Sequence, residues 1–210
     1  MTVEASTIYL LDVTSGGAVE ATLRDAIEES QLVDWQTRWQ PALIAVLQEL
    51  AQRRVPIAEW PQSWHWNWRT KIAQVQGLLA FHGFSVICEG VTQGLMRVDL
   101  RQAARVPSQQ GKPLVYVDYL EVAPWNRPEL GRVPRYRGVG TALVSAAVVL
   151  SEQEGFKGRI GLHSLPQADA FYHDRCGMTD LGPDPSCQNL RYFEMTPEQA
   201  LVFLAEGSES

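Results

Sequence analysis

With 210 residues the chain is long enough to bury a full core, and one domain over residues 1–210 is the default expectation. Hydrophobic residues at 45% against 20% charged describe an ordinary globular protein, and a formal net charge of −6 disfavours nucleic acid as the main partner while favouring cationic small molecules such as amines. Three cysteines (Cys88, Cys176, Cys187) without a Cys-x-x-Cys pair argue against a disulfide scaffold and against a metal site of the zinc type.

Met1-Thr2-Val3-Glu4 has no basic leader, and no apolar run approaches a membrane span, so a cytoplasmic protein with no membrane partner is expected. Ser6 to Val13 reads as a first strand, broken by Ser15-Gly16-Gly17. Val19, Leu23, Ala26 and Ile27 then fit one face of a helix over Ala18 to Ser30. A second helix is expected from Pro41 to Arg54, with proline in its first turn. A third fits Ser63 to Phe81, where Trp64, Trp68, Ile72, Val75 and Leu79 form a stripe that His82-Gly83 ends. Six of the seven tryptophans fall between Trp35 and Trp68, which suits a packing cluster, an aromatic acceptor pocket or a homodimer interface.

From Phe84 the pattern turns to strands: Phe84 to Gly90, a turn at Val91 to Gly94, and Leu95 to Leu100. Val106 to Pro113 reads as a loop, and Leu114 to Val122 as a central strand covered on both faces, stopped by Pro124. Val139, Leu143, Ala146, Ala147 and Leu150 mark a helix ending at Gly155. Gly158 to His163 is a strand, Pro166 to Cys176 a short helix with Gly177 as a left-handed cap, and Asn189 to Met195 a last strand. Thr196-Pro197-Glu198-Gln199 opens a terminal helix with a capping-box pattern, running to about Ala205 before a frayed tail.

Between the central strand and the periodic helix lies Arg135-Tyr136-Arg137-Gly138-Val139-Gly140-Thr141, of pattern Arg-x-x-Gly-x-Gly. Its glycines let backbone approach a bulky ligand, and the amides opening the following helix sit at the positive end of its dipole. Together these suit a diphosphate.

Three ordered segments then resemble the GNAT superfamily of acetyl-CoA-dependent N-acetyltransferases. Leu120-Glu121-Val122-Ala123-Pro124 resembles the family's Leu-x-Val-x-Pro strand end, and Arg135 to Gly140 its acyl-CoA signature. Ala168-Asp169-Ala170-Phe171-Tyr172, followed by Gly177-Met178, is similar to its Ala-x-x-Phe-Tyr…Gly-Phe helix. The resemblance covers about Phe84 to Met195 and implies an α/β (α+β) fold: a mixed, mostly antiparallel central sheet with helices on both faces and a splayed strand pair holding CoA. On this reading residues 1–83 are an N-terminal strand plus a helical, Trp-rich elaboration, 84–196 the acyl-CoA-binding core, and 197–210 the C-terminal helix and tail.

It also implies a chemistry: direct attack of an amine on acetyl-CoA, which serves as acyl-donor co-substrate. The pantetheine arm would pair with backbone near Leu120 and Val122, between the strands Leu114–Val122 and Gly158–His163. The diphosphate would sit on the amides of Arg137, Gly138, Val139, Gly140 and Thr141, with Arg135 and Arg137 adding charge. Tyr172 occupies the place of the family's acid, the proton donor to the departing thiolate. For the base, strand alternation puts Tyr116, Asp118, Leu120 and Val122 on one face and Tyr119 and Glu121 on the other. Asp118 lies on the face where the family tends to carry its base, and Glu121 is the second choice; either carboxylate alternatively pairs with an arginine or holds a loop. His163 and His173 flank this region and read as structural, with His173 a possible CoA contact, and Cys176 reads as packing.

The chain departs from the family pattern in its long connection from Pro124 to Gly138, in Leu165 where an asparagine is frequent, and in the length of its helical insertion. The acceptor is a small amine or a peptide or protein amino group. The rival readings are a catalytically silent acyl-CoA-binding regulatory module and a toxin-like acetyltransferase of aminoacyl-tRNA, the latter disfavoured by the acidic balance.

Overall fold

The computed structural model describes residues 4–130 and 133–208. Met1 to Val3, the Gly131-Arg132 part of the long connection and the last two residues lie outside the described residues.

Strands β1 (Ala5–Asp12) and β2 (Ala18–Arg24) pair antiparallel, from Ala5 opposite Arg24 to Leu11 opposite Ala18. The helix expected over Ala18 to Ser30 is therefore a strand followed by a later helix. The cause is the turn: Gly16 sits at φ +70, its N–H donates to Asp12 O at 2.8 Å, and Asp12 N–H donates to Gly17 O at 2.9 Å. That geometry closes a hairpin, and Val19, Ala21 and Leu23 then serve the period of a strand.

Helical structure begins at α1 (Glu29–Asp34) and continues through a π turn, Trp35–Trp39, into α2 (Gln40–Gln52). Pro41 has no N–H to give the turn before it, and the ladder widens there, Gln40 N–H reaching Trp35 O. Helix α3 is only Trp68–Ala73, so the long tryptophan stripe is corrected: Trp64 is 41% and Leu79 88% exposed. Asn67, extended at φ −126, caps α3 by accepting the Thr70 N–H at 3.0 Å and ends helix on its upstream side, while Gly77 at φ +80 marks the turn after it. The tryptophans differ in burial. Trp35, Trp39 and Trp68 are buried, and the indole N–H groups of Trp39 and Trp68 each find a buried acceptor, at 2.9 and 2.7 Å.

Strands β3 (Phe81–Cys88) and β4 (Val91–Ala103) come next in the chain. Their turn is Glu89-Gly90, both at positive φ (51 and 70), rather than the expected Val91 to Gly94, because two such residues make the tight loop whose twist matches a hairpin. Beyond them lie β5 (Pro113–Val122), β6 (Tyr136–Arg137), α4 (Val139–Gln153) and β7 (Ile160–Ser164). The expected short helix is a 3₁₀ turn at Pro166–Ala168 and a π turn at Phe171–Arg175, with Gly177 at φ +63 as its left-handed end. Strand β8 (Thr179–Asp184) was not expected from the sequence, since Gly182-Pro183 carries a turn signature. It pairs antiparallel with β9 (Leu190–Met195) around a register shift between Asp180 and Pro183. Helix α5 (Pro197–Ser208) extends past Ala205 and opens on the expected box: Thr196 N–H donates to Gln199 Oε1 at 2.9 Å, and Gln199 N–H to Thr196 Oγ1 at 3.4 Å.

The nine strands are hydrogen-bonded in the order β6-β1-β2-β3-β4-β5-β7-β9-β8, mostly antiparallel, with β5 and β7 parallel. Contacts group the chain into two compact units. The first is Met1–Leu78, Gly83–Leu95 and Leu120–Ala142; the second is Leu79–His82, Met96–Tyr119 and Leu143–Ser210. The first has Leu10, Trp39, Val86 and Trp68 in its core, and the second Leu114, Leu143, Ile160 and Phe193. Each such side chain contributes about 1.5–3 kcal/mol by leaving water. Among the described residues no helix is long and apolar enough to cross a membrane.

Candidate active site

In the first unit, β6 is a two-residue strand that delivers the chain to the start of α4. It pairs with β1 (Leu11 opposite Arg137, Asp12 opposite Tyr136). Tyr136, 2% exposed, donates its N–H to Asn126 Oδ1 and its hydroxyl to Glu89 Oε2, both at 2.9 Å. Asn126 and Trp125 in turn donate to buried Gln93 Oε1 at 2.9 and 2.8 Å. The near end of the long connection is thus fixed by polar side chains.

Gly138 sits next in the chain at φ +97, a conformation that side chains rarely adopt, and the first bond into the helix is Ala142 N–H to Gly138 O at 2.9 Å. The amides of Val139, Gly140 and Thr141 therefore have no acceptor inside α4, whose dipole turns its positive end toward them. Arg135 and Arg137 are exposed just upstream. Arg135 lies 4.9 Å over the Tyr136 ring and pairs with Glu89 at 2.5 Å, both side chains about half exposed. These residues fit an anionic phosphate ligand: exposed cations, amides without helical acceptors and a glycine at the turn.

Glu121, at the end of β5, is closed off. It is 7% exposed, Trp68 Nε1 donates to its Oε2 at 2.7 Å, and Arg127 Nη1 lies 3.3 Å from its Oε1. Arg127, 4% exposed, also holds Ser63 Oγ at 3.0 Å and Glu129 at 2.7 Å. Burial pushes the Glu121 carboxyl up, against the opposing pull of Arg127, Trp68 and Ser63. Leu120 and Val122, the other candidates on this stretch, are half-buried.

In the second unit, β5 and β7 pair at Val115–Ile160, Tyr116–Gly161 and Val117–Leu162, and there the ladder stops. Asp118 and Tyr119 continue β5 unpaired with β7, although β7 runs on to Ser164. The strands part at Val117. Asp118 accepts the Arg97 Nε at 2.9 Å; the guanidinium is 7% exposed and lies over the rings of Phe81 and Tyr119, at 5.5 and 4.8 Å. Arg97 was not anticipated, because nothing in the β4 sequence marks a buried cation.

Tyr172 lies in the π turn, 6% exposed, its ring 5.1 Å from Phe171 and 6.1 Å from Phe193. Burial pushes its phenol well above the ordinary tyrosine value, so the hydroxyl keeps its proton at neutral pH. Cys176 is 2% exposed and burial pushes its thiol up to about 12, an inert setting. His173 is exposed and, among the described residues, is hydrogen-bonded to neighbouring Asp174. His163 is not peripheral: its Nδ1 is 2.7 Å from the Tyr116 hydroxyl and its Nε2 2.9 Å from Asp184 Oδ2. The sequence offered no signal for Asp184, since it lies on the strand hidden by Gly182-Pro183.

The first unit thus gathers Leu120, Glu121, Val122 and Arg135 to Thr141, and the second Asp118, Tyr116, His163 and Tyr172. No family model matches the sequence, and no curated protein matches it. Solved structures do. The GNAT domain of S. lividans PAT aligns over 91% of this chain and 96% of its own, at TM-score 0.52 and 13% identity. Mycobacterium smegmatis RimJ, in complex with CoA-disulfide, aligns over 98% and 95%, at TM-score 0.51 and 13% identity. The element order, the parting parallel pair and these alignments agree: the chain has the GNAT-superfamily fold.

Proposed function

We propose that the protein is an N-acetyltransferase that moves the acetyl group of acetyl-CoA directly to an amine. The observation that carries this reading is the start of α4, where Gly138 at φ +97 precedes three amides without helical acceptors, within a fold shared with a CoA-bound RimJ. A diphosphate is the anion such a turn suits, and Arg137 stands exposed beside it. Arg135 exchanges Glu89 for phosphate when the ligand is bound. The pantetheine arm takes the backbone of Leu120 and Val122 as its strand partner.

Tyr172 supplies the proton to the departing thiolate, for which a phenol kept neutral by burial is suited. Of the two carboxylates, Glu121 is enclosed by Trp68 and Arg127, whereas the Asp118 side chain is 23% exposed and turns one oxygen to Arg97. Asp118 is therefore the carboxylate that meets the incoming ammonium, and Glu121 the one that holds the end of β5.

Incubation with acetyl-CoA and an amine panel (an alkyl polyamine, an aminosugar, a peptide α-amine and a peptide lysine), read by mass spectrometry, tests the activity. An acetylated amine is expected. CoA binding with no product from any amine class would favour a silent acyl-CoA-binding module instead. Tyr172→Phe is expected to lower kcat by about a hundredfold with CoA affinity unchanged. Gly138→Val is expected to abolish thermal stabilisation by CoA, and stabilisation surviving that change would show the diphosphate site to be elsewhere.

A further inference from the structure

The second unit contains a polar chain that the proposed reaction does not yet use. Tyr116 on β5 and His163 on β7 lie on the same face of the sheet, because Tyr116 is in register with Gly161 and side chains alternate along a strand. Tyr192 on β9 stands opposite His163, the two rings 5.0 Å apart. Gly161 leaves room for that ring: a Cβ there would be 2.5 Å from the Tyr192 hydroxyl. Beyond the irregular register of β8, Asp184 reaches His163 Nε2 at 2.9 Å.

Asp184 fixes the proton positions. Its Oδ1 accepts from Ser186 N–H and Oγ, at 2.9 and 2.6 Å, and its Oδ2 from Arg105 Nη1 at 2.6 Å. Those donors hold the carboxyl well below the usual carboxylate range, so it is an acceptor only. His163 Nε2 must carry the hydrogen it gives to Asp184. Nδ1 of the neutral ring is then a lone pair, and the Tyr116 hydroxyl donates to it at 2.7 Å. The Tyr116 oxygen keeps its own lone pairs for another donor.

This polar chain stands at the fork. Tyr116 is one residue before the last paired position, Val117–Leu162, while His163 and Asp118 are the first residues past it on their strands. The geometry points to a proton relay, Tyr116–His163–Asp184, that deprotonates the incoming ammonium. The inference rests on the acetyltransferase reading, in which the fork holds the thioester.

An N–H of the ammonium, oriented by Asp118, is given to Tyr116 Oη. An O–H bond forms there as the original O–H of Tyr116 breaks, its proton forming an N–H bond at His163 Nδ1. The amine is left neutral, its electron pair free to attack the carbonyl, and the positive charge rests on an imidazolium facing Asp184. Tyr116 never becomes an anion, which matters because burial pushes its phenol well up. Tyr116 is the catalytic residue, touching the amine; His163 takes the proton through it, and Asp184 is a positioning residue. Among the described residues, the other charged or titratable groups around the ring are Arg105, which lies 4.1 Å over Tyr192, Tyr192 itself with buried Glu194 at 3.1 Å from its hydroxyl, and Asp118 and Cys187 near Tyr116.

The test uses the full chain with acetyl-CoA and whichever panel amine the wild type acetylates. Tyr116→Phe keeps the ring and removes the hydroxyl. It is expected to lower kcat about a hundredfold, to leave CoA affinity within about twofold, and to abolish the acid limb of the pH profile of kcat/KM. His163→Gln should do the same. Asp184→Asn should keep that limb but move it to lower pH, because the imidazolium loses its counter-charge. Nitrogen-15 histidine spectra of the free protein should show His163 protonated at Nε2. A Tyr116→Phe enzyme with wild-type rate and profile, or a His163 protonated at Nδ1 instead, would overturn the relay while leaving the acetyltransferase reading intact. A wild type that acetylates no amine removes both.

Discussion

Two carboxylates in this protein are surrounded by donors and serve opposite ends. Glu121, in the first unit, is sealed among Trp68, Arg127 and Ser63, and burial raises its carboxyl despite the arginine. Asp184, in the second, is bound by Ser186, Arg105 and His163, which lower its carboxyl. Desolvation dominates the first site and hydrogen bonding the second. Glu121, 7% exposed, ties the end of β5 to Trp68 of α3 and to Arg127 of the connection after Pro124. A charge in a chain of donors that ends on a hydroxyl can stabilise a proton arriving from elsewhere. The difference teaches that the number of hydrogen bonds does not separate structure from chemistry; the presence of an open end does.

The comparison is tested hardest by removing the cation from the sealed site. Arg127→Met leaves Glu121 buried with Trp68 as its main donor, and it should cost about 3–5 kcal/mol in urea unfolding. Adding Glu121→Gln should recover much of that loss, because a neutral amide still accepts from the indole without a buried charge. A loss under about 1 kcal/mol for Arg127→Met alone would mean that the site is not sealed.

The second site depends on space rather than on charge compensation. Gly161→Ala places a Cβ 2.5 Å from the Tyr192 hydroxyl and 3.2 Å from Leu114, an overpacking that should cost about 1–3 kcal/mol. Tyr192 is tied by its hydroxyl to buried Glu194 at 3.1 Å, so the ring cannot swing away freely. In a Tyr192→Phe background the same substitution should cost less, since the closest atom is gone. An equal cost in both backgrounds, read from a double-mutant cycle, would put the clash elsewhere.

Much of the second unit was legible in the sequence, because its elements are long and regular. The apolar run Leu114 to Val122 and the helical stripe from Val139 to Leu150, most of whose residues belong to this unit, are both kept by the structure. The Arg-x-x-Gly-x-Gly turn was legible because glycine at positive φ leaves a mark in the chain itself. The first unit was read less well. Val19 and Leu23 satisfy both a helical and a strand period, and only the turn at Gly16 decides between them. The tryptophan spacing from Trp64 to Leu79 imitates a helix that Asn67 ends at its start. Tyr116 and Asp118 were placed on one face by alternation, yet their partners His163 and Arg97, and the Asp184 that holds His163, come from three other strands. Such pairings are set by register, which a single sequence does not display.

Acid separates the two carboxylates by sign. Asp184 has a lowered folded pKa, so its contribution is present above the unfolded aspartate value of about 3.9 and is lost as pH falls below it. Glu121 has a raised folded pKa, so its contribution is full below the unfolded glutamate value of about 4.3 and is lost as pH rises through the folded one. Unfolding midpoints tracked from pH 7 to pH 3 should therefore fall less steeply for Asp184→Asn than for wild type. Glu121→Gln should fall more steeply, having lost the group that gains on acidification. Identical slopes for all three proteins would remove the contrast.

The smallest effect concerns how the sealed site is built. Asn67 accepts the Thr70 N–H at 3.0 Å, and the residue after it is Trp68, whose indole holds Glu121. Asn67→Ala should cost about 1 kcal/mol, the ordinary value of a helix cap, as should Thr196→Ala at α5. The two caps differ in the helices they open. Helix α5 is twelve residues long and has further turns to hold its direction, whereas α3 has six and begins at the residue that matters. If Asn67 sets the aim of the Trp68 ring, its loss should weaken the indole bond as well, and Asn67→Ala should cost less once Trp68→Phe has removed that bond. Thr196→Ala should cost the same in either background, because its helix has no part in holding Glu121. Additivity at Asn67 would reduce it to an ordinary cap, and the clamp would then rest on Trp68 packing and Arg127 alone.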